Sequence, residues 1–203
     1  MELKVETEEK ILQAAKLVFQ QKGFDGCRMQ DIADEAGINK ALLHYYFRSK
    51  DRLFDEVFKD AFRKFFPKVM EIMASDIPLE KKLEKFIDRY MNLLIDNPML
   101  PIFILNEVNR NPEKITEIIN LQVVNPDLLF APIFKEINNG TIRKVDPRHL
   151  IISIIGMCVF AFAGKPIIKN FLMNNNEEEF TLFISQRKKE ITELVLKSIT
   201  NTK

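Results

Sequence analysis

Residues 22 to 53 read KGFDGCRMQDIADEAGINKALLHYYFRSKDRL, and this stretch decides the architecture. From about Met29 to Ala36, residues Ile32, Ala33 and Ala36 follow the i, i+1, i+4 spacing of one apolar helix face. Gly37 ends that helix, because glycine can take the left-handed conformation that turns a chain sharply and that a Cβ makes costly. Asn39 is a good N-cap, and the helix it opens runs from Lys40 to about Phe47. Leu43 and Phe47, four apart, should face the core, which leaves Lys40, Ala41, Leu42, His44 and Tyr45 on or near the outer face. Ser49 caps a third, longer helix whose first residue, Lys50, places an ammonium and free backbone N–H groups where a phosphate could sit. Two short helices joined at one glycine and followed by a basic helix start form the helix-turn-helix pattern, whose second helix lies in the major groove of DNA.

The register extends further. Ile11, Leu12, Ala14, Ala15 and Phe19 precede Gly23-Phe24; Ile32, Ala33, Ala36, Gly37 and Ile38 form the turn; Leu43, Tyr46, Phe47, Ser49, Lys50 and Leu53 follow it. In this order and spacing, residues 8 to 54 resemble the N-terminal domain of the tetracycline-repressor-like (TetR/AcrR) family of bacterial transcription regulators. The resemblance implies an all-α chain, with a helix-turn-helix DNA-binding domain over residues 5–66 and a helical effector-binding and dimerisation domain over 67–203. Carried onto this sequence, it implies DNA contacts at Arg28, Gln30, Asn39, Lys40, Ala41, Leu42, His44, Tyr45, Tyr46 and Lys50. Arg28 stands where the family usually has a threonine cap, so the cap is weaker but a guanidinium is on hand for a phosphate. Leu42 and His44 replace the usual threonine and tyrosine of the reading helix, so a relative's operator cannot be transferred. Read singly, Arg28, Lys40 and Lys50 are ordinary solvated charges, and only the register favours DNA. Gln30 and His44 stay open between polar surface and nucleic-acid contact. Of the two tyrosines, Tyr45 is the better placed to offer its hydroxyl to a phosphate.

Net charge does not point to DNA: a general DNA coater would be basic, whereas a sequence-specific reader needs only local positive charge. The chain of 203 residues carries a formal charge of only +1, and residues 1–65 hold 12 Lys+Arg against 12 Asp+Glu. The 46% hydrophobic content suffices for a real core, and 29% charged residues argue against disorder. Cys27 and Cys158 are far apart, lack metal-ligand spacing and suit a reducing cytosol. The acidic N-terminus MELKVETEEK does not read as a secretion signal, and Leu150 to Gly164 is shorter than the ~18 apolar residues of a spanning helix, so it reads as a buried helix. A cytoplasmic location without membrane contact is expected.

Helical periodicity continues through the rest. The first helix is expected over about Thr7 to Lys22, and the fourth over Lys50 to Phe66, interrupted by Pro67. Pro78 and Pro98 open further helices, Gly140 ends one, and Asp146-Pro147 is a cap-plus-first-residue pair for a helix to about Ala163. A last helix, about Glu177 to Ile199, carries Phe180, Ile184, Ile191, Leu194, Val195 and Ile199. The last two helices either make a four-helix contact with a twin subunit or face this subunit's own core. A homodimer is expected because one reading helix touches only a few base pairs, whereas two related by a twofold axis read an inverted repeat in double-stranded DNA.

The C-terminal region is rich in phenylalanine and methionine. Phe86, Met99, Phe103, Phe130, Phe134, Met157 and Phe160 are candidates for an adaptable effector pocket, with Asn106 and Glu107 as polar anchors; core packing remains the alternative for each. In the resembled family this region binds a small molecule that releases DNA, so a small, hydrophobic effector is expected. His44 and His149 are the only histidines, with no metal spacing and no phosphate-cradling glycine loop, so neither an enzyme nor a cofactor or metal is expected. A helical protein–protein adaptor with a DNA-binding-like head is the other reading, since Leu42 on the outer face also suits a protein groove.

Overall fold

A computed structural model describes residues 2–110, 112–113, 116–117 and 125–201. Helices follow one another as α1 (Glu2–Gly26), α2 (Met29–Glu35), α3 (Lys40–Tyr46), α4 (Lys50–Ala74), α5 (Leu79–Asp96), α6 (Leu100–Arg110), α7 (Pro126–Asn138), α8 (Pro147–Ala163) and α9 (Glu177–Ile199). Among the described residues there is no strand.

The head comprises α1 to α3 closed against the start of α4. Ile11, Ala15, Val18 and Phe19 of α1 meet Ile32 and Ala33 of α2, Leu43 of α3, and Leu53 and Phe54 of α4, all buried. Each large apolar side chain so enclosed contributes roughly 1.5–3 kcal/mol. α1 is longer than the spacing suggests. It starts at Glu2, where acidic residues suit a helix N-terminus, and Gly23 breaks its regular course with φ 69° and ψ 175°.

The fourth helix corrects an expectation. α4 does not stop at Phe66 but runs through Pro67 to Ala74. Proline removes one backbone donor and crowds the carbonyl four residues back, that of Arg63, at a cost of about 3 kcal/mol. Pro67 and Arg63 both lie on the exposed side of the helix. On the other side Phe65, Val69 and Met73 are buried and hold the helix together across the defect. The boundary drawn at 66/67 therefore falls inside one continuous rod, roughly 37 Å long, shared by head and body.

α5 is the axis of the body, touching α4, α7, α8 and α9. Leu83, Phe86, Ile87, Met91 and Leu94 are buried along it. Lys82, also buried, donates at 2.7 Å to the carbonyl of Met73 near the end of α4, where a cation complements the helix dipole. Asp146 caps α8 by accepting from the Arg148 N–H at 2.9 Å, and Gly140, at φ 70°, terminates α7 as the sequence suggests. α8 is followed by a short turn, Lys165–Ile167, and one π-helical turn, Ile168–Leu172, bent by 60° from it.

The faces of the last two helices separate. The stripe of α9, Phe180, Ile184, Ile191, Val195 and Ile199, is buried in this chain's own core, whereas Leu182 and Leu194 are turned out. α8 is two-sided: Leu150, Ile151, Ile154 and Cys158 are buried, whereas Ile152 and Phe160 are 68% and 62% exposed. It is thus not the wholly buried helix its composition suggests. Among the described residues no single helix is long and apolar enough to cross a membrane.

Candidate nucleic-acid interface

The turn between α2 and α3 is built from local bonds. Gly37, at φ 62°, donates to the Asp34 carbonyl at 3.0 Å, and Ile38 donates to the Ala33 carbonyl at 3.0 Å, closing α2 with the paired bonds of a left-handed cap. The Asn39 side chain then accepts from the Leu42 N–H at 2.8 Å and starts α3. Leu43 and Phe47 are fully committed to the core, at 0% and 5% exposure. Lys40, Ala41, Leu42, His44 and Tyr45 consequently all project outward. Tyr45 is 72% exposed, while Tyr46 is half-buried against the core with its ring 5.5 Å from that of Tyr45.

Arg28 sits at the N-cap of α2 with no capping bond from its side chain, since a guanidinium has no acceptor. Asp31 does the capping in its place, accepting from the Arg28 N–H at 2.8 Å. Lys22 pairs with the same carboxylate at 2.8 Å. The Lys22 hydrogen bond first, and the Arg28 N–H second, hold Asp31 below the usual carboxylate range. The sequence does carry this signal, an acid three residues after the cap. Among the described residues the Arg28 side chain is exposed and has no ion pair or hydrogen bond, apart from a weak through-space attraction to Asp31. Gln30 is exposed and donates to Asp34 on its own helix at 2.7 Å, and His44 Nδ1 lies 3.3 Å from the Arg48 carbonyl.

Lys50 departs from its expected place. Its ammonium turns back into the head, donating to the carbonyls of Phe24 at 2.8 Å and Cys27 at 3.1 Å, and stands 4.3 Å from the centre of the Phe24 ring. That ring packs on Phe54 with centres 4.7 Å apart. Lys50 therefore locks the link between α1 and α2; Arg28, Lys40, Arg48 and Arg52 are outward cations near the turn, with Asp34, Glu35 and Asp51 exposed among them. Cys27 is buried beneath this link, and burial pushes its thiol up against the pull of the Lys50 ammonium.

The described candidate effector residues differ in burial and in the helix that carries them. Phe86 is buried, stacked 6.2 Å from Tyr90, and Met99, Phe130 and Met157 are partly buried against the core. Phe134 and Phe160 are exposed on α7 and α8, and Asn106 is exposed on α6. Phe103 and Glu107 lie outside the described side chains. Met157 lines a cleft of about 570 Å³ with Val145, His149, Leu150, Leu194 and Val195, apart from the other candidates.

A short, surface-mounted helix held at a fixed angle by a glycine corner and a buried pair of apolar residues is a helix-turn-helix, the arrangement that presents a helix to the major groove of DNA. Residues 11–57 match the family described as "Bacterial regulatory proteins, tetR family". The chain is 29% identical over 137 residues to the "probable HTH-type transcriptional regulator YttP" of Bacillus subtilis (strain 168), 66% of each chain. It is 28% identical over 145 residues to the HTH-type transcriptional regulator RutR of Escherichia coli (strain K12), 71% of this chain and 68% of RutR. About two thirds of these relatives' length is thus matched. The fold is also that of FadR from Bacillus subtilis, solved in complex with stearoyl-CoA, at TM-score 0.64 and 20% identity over 92% of this chain and 96% of that one. The head of the chain is thus similar to that of TetR-family regulators.

Proposed function

We propose that two copies of this chain bind an inverted-repeat operator and repress transcription until a small hydrophobic effector releases them. One observation carries the reading: α3 commits Leu43 and Phe47 wholly to the core and leaves Lys40, Ala41, Leu42, His44 and Tyr45 free on its outer face. Such a helix is shaped to enter a groove about 12 Å wide. Arg28, Gln30 and Tyr46 flank it as positioning contacts, Asn39 sets its start, and Lys50 acts through the link it braces.

The second copy docks, in this reading, on the open face of α8. Ile152, Ile155 and Phe160 are uncovered there, and Ile167 and Phe171 continue the patch into the bent turn beyond. An apolar face of this kind is what a homodimer covers. The bound stearoyl-CoA of FadR supports an apolar effector in a body of this fold. Effector and operator must then weaken each other reciprocally. Such a regulator works beside the chromosome, in the cytoplasm, and needs no cofactor.

The test is selection of bound sequences from random duplex DNA, followed by gel shift with the recovered site. Recovery of inverted repeats, with binding weakened at least tenfold by Lys40→Ala plus Tyr45→Ala in a chain that remains folded, supports the proposal. Failure to enrich any sequence at low salt rejects it.

A further inference from the structure

A cleft of about 200 Å³ lies at the seam between head and body, walled by α1, α4 and α5. Lys16, Lys64, Lys68 and Arg89 line it, with Asp60 and Asp96 opposed to them. Asp60 is already taken by Lys64 at 2.5 Å. Among the described residues, Lys16, Lys68 and Arg89 have no ion pair and no hydrogen-bond partner, although they come from three different helices. The end of α5 that borders the same space is served from within the protein. Gln20 of α1 donates to the Asp96 carbonyl, and the Asn97 amide donates to the Leu93 carbonyl at 2.8 Å. Four cations against two carboxylates leave this small concave space with an excess of two positive charges; Asp96 offsets one of the three unpaired cations, and Lys68 and Arg89 also border a neighbouring cleft with Glu71, Glu84 and Asp88. The excess raises a positive potential that an anion would relieve.

We propose that this cleft binds a small polyanion bearing phosphate or carboxylate groups, held by Lys16, Lys68 and Arg89. A ligand so held ties α1 of the head to α4 and α5 of the body and resists any swing between them. The site is separate from the apolar effector reading and from the outer face of α3. Only its regulatory consequence rests on the operator reading.

Isothermal titration of the full chain at low ionic strength tests this, with inorganic pyrophosphate in one arm and citrate in the other. One saturable site per chain is expected in at least one arm, with affinity falling at least tenfold in Lys16→Gln plus Arg89→Gln. Lys189→Gln, on the exposed side of α9, should bind as the native chain does. Lys68→Gln alone, expected to weaken binding at least threefold, serves should the double variant not fold. Absence of saturable binding in both arms, or equal weakening by Lys189→Gln, overturns the proposal. A chain that takes up pyrophosphate or citrate in this way yet ignores DNA rejects the operator reading while upholding this one.

Discussion

Lys40 and Lys50 are ten positions apart and both basic, yet the structure gives them opposite work. Lys40 is free at the start of α3, whereas Lys50 spends its ammonium on the Phe24 and Cys27 carbonyls. Lys50→Met should therefore destabilise the head by roughly 1–3 kcal/mol, as expected for loss of charge-assisted bonds and a ring contact. Urea unfolding measures this; an unchanged midpoint would show that the inward geometry contributes nothing. Sequence order alone does not separate the two lysines, because the partners of Lys50 lie 26 and 23 residues upstream and only folding brings them near. Gly37 and Asn39 are legible because their signals are local, completed within a few residues. Glu177 yields a pH dependence. Lys165 first, then Lys169, hold its carboxyl down to about 2 from an ordinary 4.5. Since the folded form has the lower value, the stability from this cluster is fully present above 4.5 and is lost as pH falls toward 2. Acid unfolding of Glu177→Gln should lack that part of the decline.

Among the elements, α4 shows where local rules give way. A proline inside a helical pattern ordinarily ends it, and here Phe65, Val69 and Met73 override that rule by packing on the body. Tertiary burial is not written in the local pattern, so the helix end was not legible while its start at Ser49 was. Pro67→Ala restores a backbone bond and removes a clash, offset in part by a freer unfolded chain, for a net gain of about 2 kcal/mol. A higher denaturation midpoint is the expected result, and an unchanged one would mean that α4 carries no strain at this point. The same reasoning explains the effector candidates. Composition marks α7 and α8 as aromatic, but only the packed helices show that Phe134 and Phe160 look outward while Phe86 looks in.

At the level of the whole molecule, the all-α class and the order of the principal helices follow from periodicity and caps, while the pairing of surfaces does not. The uncovered side of α8 is the main case. Phe160→Glu places a charge at the middle of that patch and should leave the chain folded but monomeric by sedimentation, with operator affinity reduced at least tenfold because a single head reads too few base pairs. A dimer that persists would move the contact elsewhere. Finally, the two sulfhydryls are distributed one to each half: Cys27 under the α1–α2 link and Cys158 between α8 and the axis of the body, where burial pushes the thiol up to about 12. Neither can meet an alkylating reagent until its own half opens. The protein thus carries two built-in clocks, whose labelling rates report separately on breathing of the reader and of the sensor without any engineered probe.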